Sequence, residues 1–104
     1  MGKRQSIKSL ANSIALVSVH KILVKYTNKP ESKKYLEDEV DIYSLEASEK
    51  SEEYSWKREE LKNMELRAIR ITRNKLINKY PDISLSDEEV RKFVIDSMQE
   101  LSLQ

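Results

Sequence analysis

One glycine, Gly2, and two prolines, Pro30 and Pro81, occur in 104 residues. Hairpin turns, β-bulges and phosphate-cradling loops all draw on the freedom of glycine at positive φ. A chain that does without glycine after its second residue is almost obliged to be helical. The expectation is an all-α fold: an antiparallel bundle of three or four helices forming a single domain over residues 1–104.

The periodicity of apolar residues places the helices. Ile7, Leu10, Ala11, Ile14, Ala15, Val19, Ile22, Leu23 and Tyr26 recur at spacings of three and four, which predicts a first helix over about 6–26. Leu16, Val17 and Val24 lie off that stripe, and a helix apolar on more than one side belongs at the centre of a bundle or under a partner. Thr27 to Pro30 breaks it, with the proline placed to open the next helix. From 31 to 80 there is neither glycine nor proline. Leu36, Val40, Tyr43, Ala47, Lys50, Tyr54, Lys57, Leu61, Met64, Ala68 and Ile71 alternate spacings of four and three, as a heptad seam does.

Two readings of residues 31–80 are open. One continuous helix would run for ~75 Å, far beyond the usual helix of a globular domain. The other breaks near 48–55, where three serines and the seam lysines 50 and 57 weaken the core face, and where Ser51 followed by Glu52 and Glu53 offers an N-cap. The break is the expectation, by a narrow margin. Beyond Met64 a second apolar set (Leu66, Ile69, Leu76, Ile77, Tyr80) implies a second neighbouring helix. The final helix, about 87–101, has the clearest start: Ser86 as N-cap, Glu89 completing a capping box, and Leu85 stapled onto Val90. Val90, Phe93, Val94, Met98 and Leu101 form its apolar face, and the tail beyond Leu101 is expected to fray.

Charge is segregated although it nearly cancels. Residues 1–34 carry eight basic and one acidic side chain, 35–56 one and eight, 57–79 eight and three, 80–104 two and six. The net is +1. Since short connections make successive helices antiparallel neighbours, each basic block should lie beside an acidic one and disfavour wrong pairings. The absence of cysteine excludes disulfides, thiol nucleophiles and thiolate metal sites. The uncharged run Ser9–His20 would span ~18 Å as a helix, too short for a bilayer core, and no signal-peptide layout is present. The expectation is a cytoplasmic protein with no membrane partner. Met1 to Ser6 matches the loose N-myristoylation pattern, for which an ordinary start ahead of a helix is the plainer reading.

Few residues suggest chemistry. His20, the single histidine, lies opposite the main stripe near Ser9 and Ser13, and no nucleophile and carboxylate are spaced to form a relay with it. Glu46, Glu49 and Glu52 recur every three residues with Glu53 beside them, and of these Glu46, Glu49 and Glu53 are weak metal candidates: carboxylates on such a helix can hold Mg²⁺, but a clean facing pair is missing. Arg67, Arg70 and Arg73, with Lys75, step along the basic segment 57–79 and could track a phosphate backbone, with Trp56 stacking on bases. Trp56 itself falls outside the seam and can fold into the bundle only if the chain turns nearby.

No catalytic residue and no cofactor are expected. The leading reading is a non-catalytic helical interaction or oligomerisation protein, a homodimer, because thin stripes on ~100 residues bury more apolar area when two copies share a core. A separate protein partner is also open. The alternative is a nucleic-acid-binding protein using the basic helix; a metal-dependent phosphohydrolase ranks last.

Overall fold

The computed structural model describes residues 2–103, so Met1, which opens the acylation pattern, lies outside the described residues. Four helices make up the described chain: α1 (Lys3–Tyr26), α2 (Pro30–Ser51), α3 (Arg58–Lys79) and α4 (Asp87–Glu100). Among the described residues there is no strand. The predicted all-α helical bundle is what forms, and its arrangement is organised around α1.

α1 packs against all three other helices, α3 and α4 pack against each other, and α2 packs against α1 alone among the described elements. The apolar residues spread around α1 make this possible: Leu10, Ala11, Ile14, Ala15, Val17, Val19, Ile22 and Leu23 are all buried. Small side chains at Ala11, Ala15 and Ser18 let neighbouring backbones approach, as do Ala47 on α2 and Ala68 on α3. The main cluster joins Leu10, Ile14 and Ala15 to Ala47, Met64, Ala68, Val94, Met98 and Leu103, and a second joins Ile22, Leu76 and Val90. Lys50 of α2 lies opposite Ser13, whereas Lys3 lies beside Glu60 at the start of α3. Thus α2 runs antiparallel to α1, and α3 runs parallel to it.

The 31–80 segment is two helices. The chain leaves helix after Ser51 and resumes at Arg58, close to where the serines and seam lysines pointed. Ser51 is not the N-cap of the second helix, however. Its hydroxyl donates back to the Ser48 carbonyl at 2.7 Å, finishing α2. Lys57 takes the N-cap position of α3, and its amide donates to Glu60 Oε1 at 2.8 Å. A lysine side chain cannot accept a hydrogen bond, so only this half of a capping box exists. The heptad reading also needs correction. The buried stripe of α3 is Met64, Ala68, Thr72 and Leu76, at a constant spacing of four, while Ile71 is only half-buried. Such i±4 rows belong to ridge-and-groove packing in a globule rather than to a coiled-coil seam. Seam position Lys50 is put to use: its ammonium donates to Ser13 Oγ at 2.8 Å and pairs with Glu46 at 3.1 Å.

α4 starts as predicted. Ser86 Oγ accepts from the Glu89 amide at 3.2 Å, Glu89 Oε1 accepts from the Ser86 amide at 3.1 Å, and Leu85 packs beside Val90. Ser102 and Leu103 of the tail are not frayed, and Gln104 lies outside the described residues. Ser102 adopts φ 59°, its amide donates to Gln99 O, and the Leu103 amide reaches Met98 O at 2.8 Å. These are the two bonds of a Schellman turn, with serine where glycine is usual. The turn returns Leu103 to the core, where it is 5% exposed.

Candidate interaction surfaces

α2 carries two stripes. Its inner one, Leu36, Val40, Tyr43 and Ala47, faces α1, yet Ala47 is the one α2 residue that becomes fully buried. Tyr43 packs against the His20 ring with centroids 4.9 Å apart and the two planes tilted by 42°. Burial first, and the Glu39 carboxylate second, push the Tyr43 hydroxyl above its ordinary range. His20 is half-buried, and its Nδ1 donates to the Leu16 carbonyl at 2.8 Å, the tautomer a carbonyl partner requires. The outer stripe holds Tyr35, Ile42 and Leu45, which are 65, 58 and 64% exposed. Asp38 and Glu49, both exposed, complete a line at spacings 3, 4, 3 and 4.

α3 also presents an outer face. Leu66 and Ile77 are 56 and 63% exposed, contrary to their expected place against a second neighbour. Of that apolar set only Leu76 is buried, while Ile69 and Tyr80 are partly covered. α4 leaves the far side of α3 open because it packs across α1 and α3 together. Exposed Lys62, Arg70 and Arg73 interleave with the two apolar residues.

The residues proposed for nucleic acid do not act as one strip. Arg67 is half-buried, with its Nε donating to Asn63 Oδ1 at 2.7 Å, and it lines a shallow cleft with Arg4, Ile7, Lys8, Glu60 and Asn63. Arg70 points to solvent, and Arg73 turns to Asp87 of α4 at 3.1 Å. Lys75 is half-buried. Trp56 is tied into the α2–α3 connection. Its Nε1 donates to Ser51 O at 2.8 Å, its ring meets Tyr54 edge-on at 5.4 Å, and its body packs on the main core. Lys3 lies over both rings, at 5.6 Å from Trp56 and 5.8 Å from Tyr54, while donating to Ser55 O and pairing with Glu60 at 2.8 Å. The Lys3 hydrogen bond and the Lys57 amide together hold the Glu60 carboxyl below its ordinary range.

Glu46, Glu49 and Glu53 are exposed near the end of α2, and Glu46 pairs with Lys50. Among the described residues no three His, Asp or Glu side chains converge on a point where a metal ion could sit. α1, taken at its full length, is long and apolar enough to cross a membrane by length and composition, although in the bundle its apolar sides are packed against three helices.

Ile42 and Leu45 lie off the heptad spacing of residues 36–71, and Tyr35 joins them; the spacing of seven between Tyr35 and Ile42 was the available signal for it. No such signal marked Arg4 and Lys8 as neighbours of Arg67, since nothing local in the chain tells that α1 and α3 run side by side. Comparison with known proteins finds no matching family model, no similar curated protein and no similar solved structure.

Proposed function

We propose that this protein is a non-catalytic helical interaction module, and that its contact surface is the outer face of α2. The observation that carries this reading is a helix of 22 residues that fully buries one side chain and lines up three large apolar ones in solvent. Scattered exposed apolar residues are ordinary; an aligned row on a helix with a single neighbour is the pattern of helix-in-groove or helix-on-helix recognition. Acidic residues flanking the row would select a basic partner surface and steer its approach.

The test is amide exchange across α2 as a function of protein or partner concentration, beside an Ile42→Glu/Leu45→Glu variant. Protection over residues 35–49 should rise with concentration in the wild type and stay flat in the variant, whose melting curve should match. Exchange that ignores concentration in both proteins would refute the reading.

A second reading, nucleic-acid binding, draws support from the cleft that gathers Arg4, Lys8 and Arg67, with Arg70 beside it on α3. Its test is oligonucleotide anisotropy at ~50 and ~200 mM salt: an affinity that falls steeply would indicate several neutralised phosphates, and an absence of binding at low salt would retire it.

A further inference from the structure

The outer faces of α2 and α3 carry opposite charge, similar apolar spacing and no contact with each other inside one chain. We propose that they are the two halves of one seam between copies of this protein, with α2 of one copy lying antiparallel along α3 of another. This rests on the reading of α2 as a contact surface and names its partner.

The register is what selects the partner. Read along α2, the outward positions are Tyr35, Asp38, Ile42, Leu45 and Glu49; read backwards along α3 they are Ile77, Arg73, Arg70, Leu66 and Lys62. Laid side by side, Tyr35 meets Ile77, Asp38 meets Arg73, Leu45 meets Leu66 and Glu49 meets Lys62. Ile42 meets the aliphatic stem of Arg70, whose guanidinium can reach out to Asp41 or Glu46 at the rim. The steps along the two helices match to within one residue, the slack that an antiparallel helix pair accommodates. Turned parallel, the same lists set Tyr35 on Lys62, Asp38 on Leu66, Leu45 on Arg73 and Glu49 on Ile77, so apolar groups oppose charges.

A second α2 cannot take this place, because two acidic stripes would repel; nor can a second α3. The α2 stripe therefore requires α3, and each copy brings both. Arg73 already holds Asp87 through Nε, but with side chains 48 and 74% exposed, that pair leaves the rest of the guanidinium free to meet Asp38. Where both faces of one copy meet the same second copy, two such seams close a twofold pair; where they meet different copies, the seam propagates from copy to copy.

The experiment is light scattering on the sized 104-residue chain over about 1 μM to 1 mM, the span in which surface contacts of this kind associate. The wild type should rise from 12.2 kDa to at least about twice that mass. Asp38→Arg/Glu49→Lys alone, and Lys62→Glu/Arg73→Glu alone, should each stay at monomer mass with an unchanged helical spectrum. An equimolar mixture of the two variants should recover the raised mass, because one mixed seam has both its charges exchanged and the other has neither. Leu66→Ala/Ile77→Ala, neutral and exposed, should weaken association at least tenfold without loss of fold.

A wild type that stays monomeric at every concentration overturns the proposal. So does a dimer that both charge variants keep. A dimer lost in Ile42→Glu/Leu45→Glu but indifferent to the charge exchanges leaves α2 as a contact surface and removes α3 as its mate. Protection of α3 by an added oligonucleotide in a monomeric wild type would assign that face to nucleic acid instead, again overturning the seam.

Discussion

α1, α3 and α4 enclose one another, whereas α2 leans on α1 only. The first group supplies nearly all of the buried apolar side chains; α2 supplies Ala47. The starts of α3 and α4 are fastened by Glu60 and Glu89, and the end of α4 by the turn at Ser102, whereas α1 and α2 start at Gly2 and Lys29 without a side-chain cap. The Lys50–Ser13 hydrogen bond and the His20–Tyr43 ring contact link α1 to α2, while ion pairs tie Lys3 to Glu60, Lys21 to Glu100 and Arg73 to Asp87 across the other interfaces. A thin hold on one neighbour is what a helix needs if its other side is to be used for binding rather than for folding.

That contrast can be broken or sharpened by measurement. The largest effect belongs to the core: Ile14→Ala should lower the unfolding free energy by about 2–5 kcal/mol in urea titrations, whereas Leu45→Ala should change it by less than about 0.5 kcal/mol. Equal losses would mean that α2 is as integral as α1. Hydrogen exchange at low protein concentration should show α2 amides at least about tenfold less protected than those in the middle of α1, since few buried contacts resist its opening. Thr72 Oγ1 is buried and finds no hydrogen-bond partner among the described residues. Thr72→Val should therefore stabilise by about 1 kcal/mol, because it removes an unsatisfied hydroxyl at nearly constant volume.

Smaller still is the turn at Ser102, where φ is positive. Ser102→Gly should raise stability by a few tenths to about 1 kcal/mol, the relief of a side chain held in the left-handed region; no gain in midpoint would argue that Leu103 is not anchored there. The smallest effect is with pH. Glu60 and Glu89 are both held below the ordinary 4.5, Glu60 first by Lys3 and Glu89 first by the Ser86 amide. A carboxyl with a lowered folded value favours the fold above its unfolded value and loses that contribution as pH falls through the folded one. Melting temperatures taken from neutral pH down through 4.5 should drop at the acid end, and less steeply in Glu60→Gln and Glu89→Gln.

What could be read from the sequence followed from local chemistry. The α4 start was legible because Ser86, Glu89, Leu85 and Val90 all act within one turn. The helical class followed from missing glycine, and the break after Ser51 from clustered serines. The rule that successive helices are neighbours held for α1–α2 and α3–α4 but failed for α2–α3. There the connection runs past the start of α1, where Lys3 and Trp56 anchor it, so α3 is set beside α1 instead. No spacing along residues 31–80 could report this, because Lys3 lies far away in sequence. The Leu103 return was hidden for another reason: serine in a left-handed turn is the exception, and its composition reads as a loose end. For the surfaces, Ile42 and Leu45 were visible as off-stripe residues, whereas Leu66 and Ile77 looked like core until the placement of α4 left them uncovered.

The central place of α1 also imposes an order during synthesis. This helix leaves the ribosome before any of the three that cover it, and for the time taken to make α3 and α4 its apolar sides have only α2 to lie against. The α1–α2 hairpin is joined by three residues and can close as soon as it emerges, so the same helix that is least buried in the finished protein is the earliest shield for the most buried one.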